Sequence, residues 1–155
     1  MSTYASNTSV SVEASKAEIE RTLQRYGATS FMTGWDAERA VLGFVIADRQ
    51  IRFVLQLPDR NAKVFTHHSR GARTATAALA AWEQACRQRW RALALVIKAK
   101  LEAVESGITT IEDEFLAHTV LPGGSTVGDW ARTEVARAYQ LGTMPTSLLA
   151  LGSGQ

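Results

Sequence analysis

The chain has 155 residues, 46% of them hydrophobic and 21% charged, and a net charge of +2. That is long enough for one domain with a real core and too apolar for a disordered chain. The near-balanced charge does not mark a dedicated nucleic-acid binder, which clusters far more Lys and Arg, but it leaves room for a local basic surface.

From the N-terminus, residues 1–13 are rich in Ser and Thr and read as a flexible arm. "MSTYASNTSVSV" has no basic region and no apolar run, so it is not read as a signal peptide. A helix follows in "SKAEIERTLQRYG": Ser15 and Glu18 form a capping box, Ile19, Leu23 and Tyr26 share one face, and Gly27 stops it.

Three antiparallel strands are expected next, over roughly 28–35, 39–47 and 50–57. A two-residue turn at Asp48-Arg49 pairs Ile46 with Ile51, Phe44 with Phe53, Leu42 with Leu55 and Ala40 with Leu57. A turn at Asp36-Ala37 brings Phe31, Thr33 and Trp35 to the same face, as an alternating pattern requires. The opposite face carries Met32, Val41, Val45 and Val54 around Gly43, with Arg39 and Arg52 at its margins. An open apolar strip of that kind invites self-association, and a homo-oligomer built on these four residues is the expectation. The alternative is that the last helix folds back over the face, with Val127, Trp130 and Leu141 on its near side.

Pro58 ends the sheet. "DRNAKVFTHHSRGAR" reads as a polar, basic loop with a short edge strand at Lys63 to Thr66. A long helix then runs from about Thr74 to Ser106 and stops at Gly107. Leu79, Trp82, Cys86, Trp90, Leu93, Ile97, Leu101 and Val104 recur every three or four residues and form one stripe about 100° wide, the mark of a core-facing helix. Arg73, Arg87, Arg91 and Lys98 fall on one flank, Arg89 and Lys100 on the other, and Leu95 lies between cations on the outer face. "TTIEDEFLAHTV" opens a further helix with a Thr109/Glu112 capping box. Thr126 and Asp129 signal a last one, at roughly 127–141, closed by Gly142 with Pro145 behind it. Residues 143–155 form a short apolar tail. The fold class is therefore α+β: helix, three-stranded meander, one long helix, then C-terminal helices, in a single domain over residues 14–142.

Catalytic chemistry is hard to find in this pattern. His67 and His68 are adjacent and point opposite ways on an extended segment, so a metal would also need His118 and Glu114, which spacing alone does not bring together. The lone cysteine, Cys86, lies in the core stripe, where a nucleophile is out of place. It permits no internal disulfide and points to a reducing compartment. "LPGGSTVG" lacks the lysine of a phosphate-binding loop. Glu112, Asp113 and Glu114 complement a helix dipole. No catalytic residue, metal or cofactor is expected, and no apolar run approaches the ~18 residues of a membrane span.

Two stretches, "RYGATSFMTGWD" with "AVLGF" and "IRFVLQLP" after it, and "WEQACRQRWRALALVIKAKLEAVESGITTIEDEFLAHTVLPGGSTVGDW", resemble a family of small uncharacterised bacteriophage and prophage proteins over roughly residues 12 to 145. The resemblance implies action in the cytoplasm of a bacterial host and carries no catalytic residue. The element order is also similar to that of phage-type single-strand annealing proteins, which use a basic groove beside a sheet and assemble into rings or filaments. The expectation is a non-enzymatic accessory protein that binds nucleic acid, single-stranded DNA in particular, as a homo-oligomer, with Arg60, Lys63, Arg70, Arg73, Arg87 and Arg91 on phosphates. The alternative is a module that binds and modulates a host or phage protein, for which Leu95 and "SLLAL" offer apolar contacts.

Overall fold

The computed structural model describes residues 5 and 7–143; Pro145 and the "SLLAL" segment lie outside them. The order is helix α1 (Val12–Arg25), strands β1 (Ser30–Trp35), β2 (Arg39–Ile46) and β3 (Arg49–Gln56), a single turn α2 (Lys63–Thr66), a small hairpin β4 (His67–His68) and β5 (Gly71–Ala72), the long helix α3 (Ala75–Glu105), a single turn α4 (Ile111–Glu114), a 3-10 turn (Leu116–His118), and helix α5 (Val127–Leu141). The α+β class and element order are those expected.

The three-stranded sheet is an antiparallel meander in the order β1-β2-β3. Its inner face supplies Leu42, Phe44, Ile46, Ile51 and Phe53 to the core. Helices α1 and α3 lie side by side on that face. Their contacts advance together, from Glu18 with Arg91 to Tyr26 with Glu105, so the two helices run in the same direction. Ile19 and Leu23 of α1 meet Trp90, Leu93, Ile97 and Leu101 of α3 in one cluster. The stripe on the long helix is thus its buried side, as its spacing implies. Phe115, which no periodicity marks, plugs the open end. It is fully buried and sits edge-on to Phe44 and Phe53 at 5.6 and 6.2 Å, the geometry that matches ring edge to ring face.

Several local details differ from the pattern-based expectations. The first helix begins at Val12 and is capped by Ser11, whose side chain accepts from the Ala14 amide. Ser15 is no cap; it is a fully buried residue within the helix. The β2–β3 turn is Ala47-Asp48, so Ile46 faces Arg49, Phe44 faces Ile51, Leu42 faces Phe53 and Ala40 faces Leu55. Relative to the expected pairing this slides β3 by two residues, which leaves every side chain on its expected face. Both turn residues take positive φ, 48° and 59°, as tight two-residue hairpin loops require. The first turn is centred on Ala37-Glu38, with the Asp36 amide donating to the Arg39 carbonyl. Lys63–Thr66 is helical, and the strand pair comes after it. Thr110, not Thr109, caps α4. The Thr126/Asp129 capping box and the left-handed Gly142 stop of α5 are present as read.

Candidate nucleic-acid interface

The hairpin between β1 and β2 reaches, at its turn, a cleft that Trp82 of α3 also lines. At its tip the Asp36 carboxylate accepts from the Glu38 and Arg39 amides at 2.8 and 2.9 Å. Those bonds favour the charged form and hold the Asp36 carboxyl below its usual range. Trp35, just before this fixed turn, pairs with Ala40 and so points to the inner, core-facing side. Trp35 is nonetheless 77% exposed. Such exposure of the largest apolar side chain is the first feature of the fold that packing does not explain.

Trp35 borders an open cleft of 510 Å³ whose other walls include Trp82, Trp90, Leu57 and the start of α1. Its continuation toward the hairpin tip, 680 Å³, shares Trp35, Leu57 and Trp82 and adds Arg60. Trp82 is fixed: its indole N–H donates to the Pro58 carbonyl at 2.8 Å, and the Arg60 guanidinium lies 5.6 Å from its ring centre. Lys16 sits 4.8 Å over the Trp90 ring. The cleft therefore combines aromatic faces with cations held against them. It also carries carboxylates: Glu13 and Glu83 in the first section, Asp36, Glu38 and Asp59 in the second.

The six basic residues named from the sequence do not form one surface. Arg60 and Arg87 line the cleft, and Arg87 is held there by two bonds to the Gln84 side-chain oxygen, at 3.0 and 2.7 Å. Lys63 on α2 and Arg70 in the β4–β5 turn are exposed. Arg73 is half-buried and donates to the Phe65 carbonyl at 3.3 Å, which fixes the loop. Arg91 is paired with Glu18 between the two long helices. Leu95 is half-buried in a groove on the outer side of α3, with Phe65 and Arg89. Pattern alone places Trp35 and Trp82 in the core. The signal that separates Trp35 is its place at the end of a strand, next to a turn.

The histidines go elsewhere. His67 and His68 are exposed on β4, while His118 stacks on Phe53 at 3.9 Å. Burial, and after it the nearby Lys100 charge, holds the His118 imidazole below its ordinary pKa. Burial likewise pushes the Cys86 thiol up. Among the described residues no group of three His, Cys, Asp or Glu is placed to hold a metal ion. No helix among them is long and apolar enough to cross a membrane.

On the sheet's outer face Met32 and Val54 are 69% and 48% exposed, and Val41 and Val45 are half-buried. Helix α5 does not cover them. It leans on the 3-10 turn through its first residues, and Trp130 and Leu141 stay exposed.

Compared with models of protein families, with curated proteins and with solved structures, the chain gives no match. Its functional reading rests on its own residues.

Proposed function

We propose that this is a non-enzymatic, phage-type nucleic-acid-binding protein of the host cytoplasm. It holds single-stranded DNA in the Trp35–Trp82 cleft and works as a homo-oligomer through the outer sheet face of Met32, Val41, Val45 and Val54. The observation that carries the reading is the exposed Trp35 on the same cleft as Trp82, whose indole is tied to the Pro58 carbonyl and lies beside the Arg60 guanidinium. Unpaired bases offer a π-face to such rings whatever their sequence, and each stacked base contributes about 1–3 kcal/mol. A duplex keeps its bases stacked inside, so the cleft favours single strands. Arg60 and Arg87, which line the cleft, supply phosphate contacts, whereas Lys63 and Arg70 lie outside it and Arg73 and Arg91 serve the fold. The carboxylates beside the cleft place more of the affinity in stacking than in charge.

The test is fluorescence anisotropy with a labelled oligothymidylate at low salt, with tryptophan quenching as a second readout. Binding with quenching is expected, and Trp35→Ala should weaken it by about 5- to 150-fold, the equivalent of one stacked base. With about two phosphate contacts, the affinity should fall with a log–log salt slope near −1.4. No binding to single-stranded DNA or RNA at low salt removes the proposal. Binding unaffected by Trp35→Ala moves the site elsewhere.

A further inference from the structure

On α3, Trp82, Glu83, Cys86, Arg87 and Trp90 form one wall of the 510 Å³ cleft that Trp35 borders. Glu83 stands out on that wall. Arg87 lies four residues along the same helix, the spacing at which opposite charges pair. Its guanidinium turns instead to the Gln84 side-chain oxygen. Among the described residues Glu83 therefore has no hydrogen bond and no ion pair. It also lies beyond the first turn of α3, where the helix dipole would favour a carboxylate. The other carboxylates of the cleft differ. Glu13 stands in the first turn of α1. Asp36 accepts from two backbone amides, and Asp59 accepts from the Asn61 amide at 2.9 Å. Glu38 lies in the other section, at the hairpin tip.

A charged carboxylate offers acceptors and no donor. Set among aromatic rings, it selects a flat ligand whose edge presents N–H donors. The Watson–Crick edge of guanine fits this best. Its N1–H and an N2–H stand side by side, so a carboxylate can accept both in two parallel bonds. Adenine and cytosine each offer an amino donor beside a ring-nitrogen acceptor, which repels the second carboxylate oxygen. Thymine offers its N3–H between two carbonyls. This edge is open to a protein in a single strand, where unstacked bases are read on it, and is occupied in a duplex. The volume of the cleft section, 510 Å³, falls in the range of small-ligand pockets, about 300–1,000 Å³, so it accommodates a base.

We infer that Glu83 makes the cleft select guanine: a guanine of the bound strand stacks at Trp35 and donates its N1–H and N2–H to the Glu83 carboxylate, with Arg87, one turn further along the same wall, on the strand's phosphate. This rests on the reading of the cleft as a single-strand site and adds a base preference that sequence-tolerant stacking does not supply. The same carboxylate has the opposite effect on other bases. To them it is an unpaired negative charge beside a polyanion, and it lowers their affinity. Removing the charge should therefore harm guanine and spare or help thymine.

The test is anisotropy at low salt with three labelled strands: oligothymidylate, the same strand with one central guanine, and the same strand with inosine in that place. Inosine keeps the N1–H and lacks the N2 amino group. The guanine strand is expected to bind about 5- to 150-fold more tightly than oligothymidylate, the equivalent of one two-bond base contact. Inosine should lose most of that gain. Glu83→Gln, at an exposed position, should abolish the guanine preference and still bind oligothymidylate at least as tightly as the wild type, which a misfolded variant could not do. Guanine also stacks better than thymine, but a gain from stacking would survive in inosine and in the variant. Equal binding of the three strands by the wild type overturns the inference and leaves the single-strand reading standing. A guanine preference that persists in Glu83→Gln overturns it as well, because another group then reads the base. Failure of every strand to bind removes both.

Discussion

The imidazole of His118 lies parallel to the ring of Phe53, 3.9 Å from it and tilted by only 18°. Lys100 is close enough to disfavour a positive imidazole, and burial disfavours it more. The folded protein therefore holds His118 neutral, while the unfolded chain takes up its proton near the ordinary value of about 6.5. Because the unfolded state binds more protons in that range, stability is fully present above about pH 6.5 and is lost as pH falls below it. Urea unfolding at intervals from about pH 7 to 5 should show the decline. His118→Phe, which keeps a ring against Phe53 and removes the proton site, should flatten it. An equally steep decline in the variant would assign the effect to other groups.

Ser15 is fully buried, and among the described residues its hydroxyl has no hydrogen-bond partner. Burying an unsatisfied hydroxyl costs roughly 1–3 kcal/mol, and alanine is also the better helix former. Ser15→Ala should therefore raise the melting temperature by several degrees. If that hydroxyl were a functional cap, as its spacing to Glu18 suggests, the same change would lower it.

Gly128 reverses the usual rule for glycine in a helix. Alanine there would normally stabilise by about 1 kcal/mol. Its Cβ, however, would stand 2.8 Å from the Ala117 carbonyl oxygen, backbone against backbone. Gly128→Ala should pry the start of α5 off the 3-10 turn and cost about 1–3 kcal/mol, as overpacking does. Thermal melts and amide exchange of α5 check this, and a stabilised variant would mean that the helix sits further out.

The capping box at Thr126 is formed and holds the start of the same helix. The Thr126 hydroxyl accepts from the Asp129 amide and the Asp129 carboxylate accepts from the Thr126 amide, each at 3.1 Å. Thr126→Ala should cost about 1 kcal/mol and reduce helical circular dichroism through α5 while the sheet persists. Loss of the whole fold in one step would show α5 to be more tightly coupled to the core than its contacts imply.

What was legible in the sequence is what period and composition control. The inner and outer faces of β2 and β3 were assigned correctly although their register was not. A slide of two residues keeps each side chain on its face, so only the turn could fix the pairing. That turn uses Ala47, a residue seldom placed at positive φ, and so left no signature. The start of α1 was ambiguous because Ser11 and Ser15 are one helical turn apart and both precede suitable residues; the deciding fact is the tertiary burial of Ser15. The cleft was invisible for a related reason. Pattern places Trp35 and Trp82 among the core residues, and only the tertiary arrangement leaves an open cleft between them. Likewise the charge pattern showed Arg91 as a free cation, since Glu18 lies 73 residues away.

The pairing of α1 with α3 has a kinetic meaning. Each strand of the meander bonds its neighbour in sequence, so the sheet can form from local contacts. The parallel helices cannot, because Tyr26 and Glu105, joined by a 2.6 Å hydrogen bond, are 79 residues apart. Closing a loop of that size costs about 4 kcal/mol in chain entropy, which places the event late on the folding route. The Glu18–Arg91 and Tyr26–Glu105 contacts then act as a latch fastened after the barrier is crossed. Weakening it with Glu18→Gln should accelerate unfolding and leave the refolding rate almost unchanged. The two helices thereby set how long the folded molecule lasts between openings, while the meander sets how quickly it is regained.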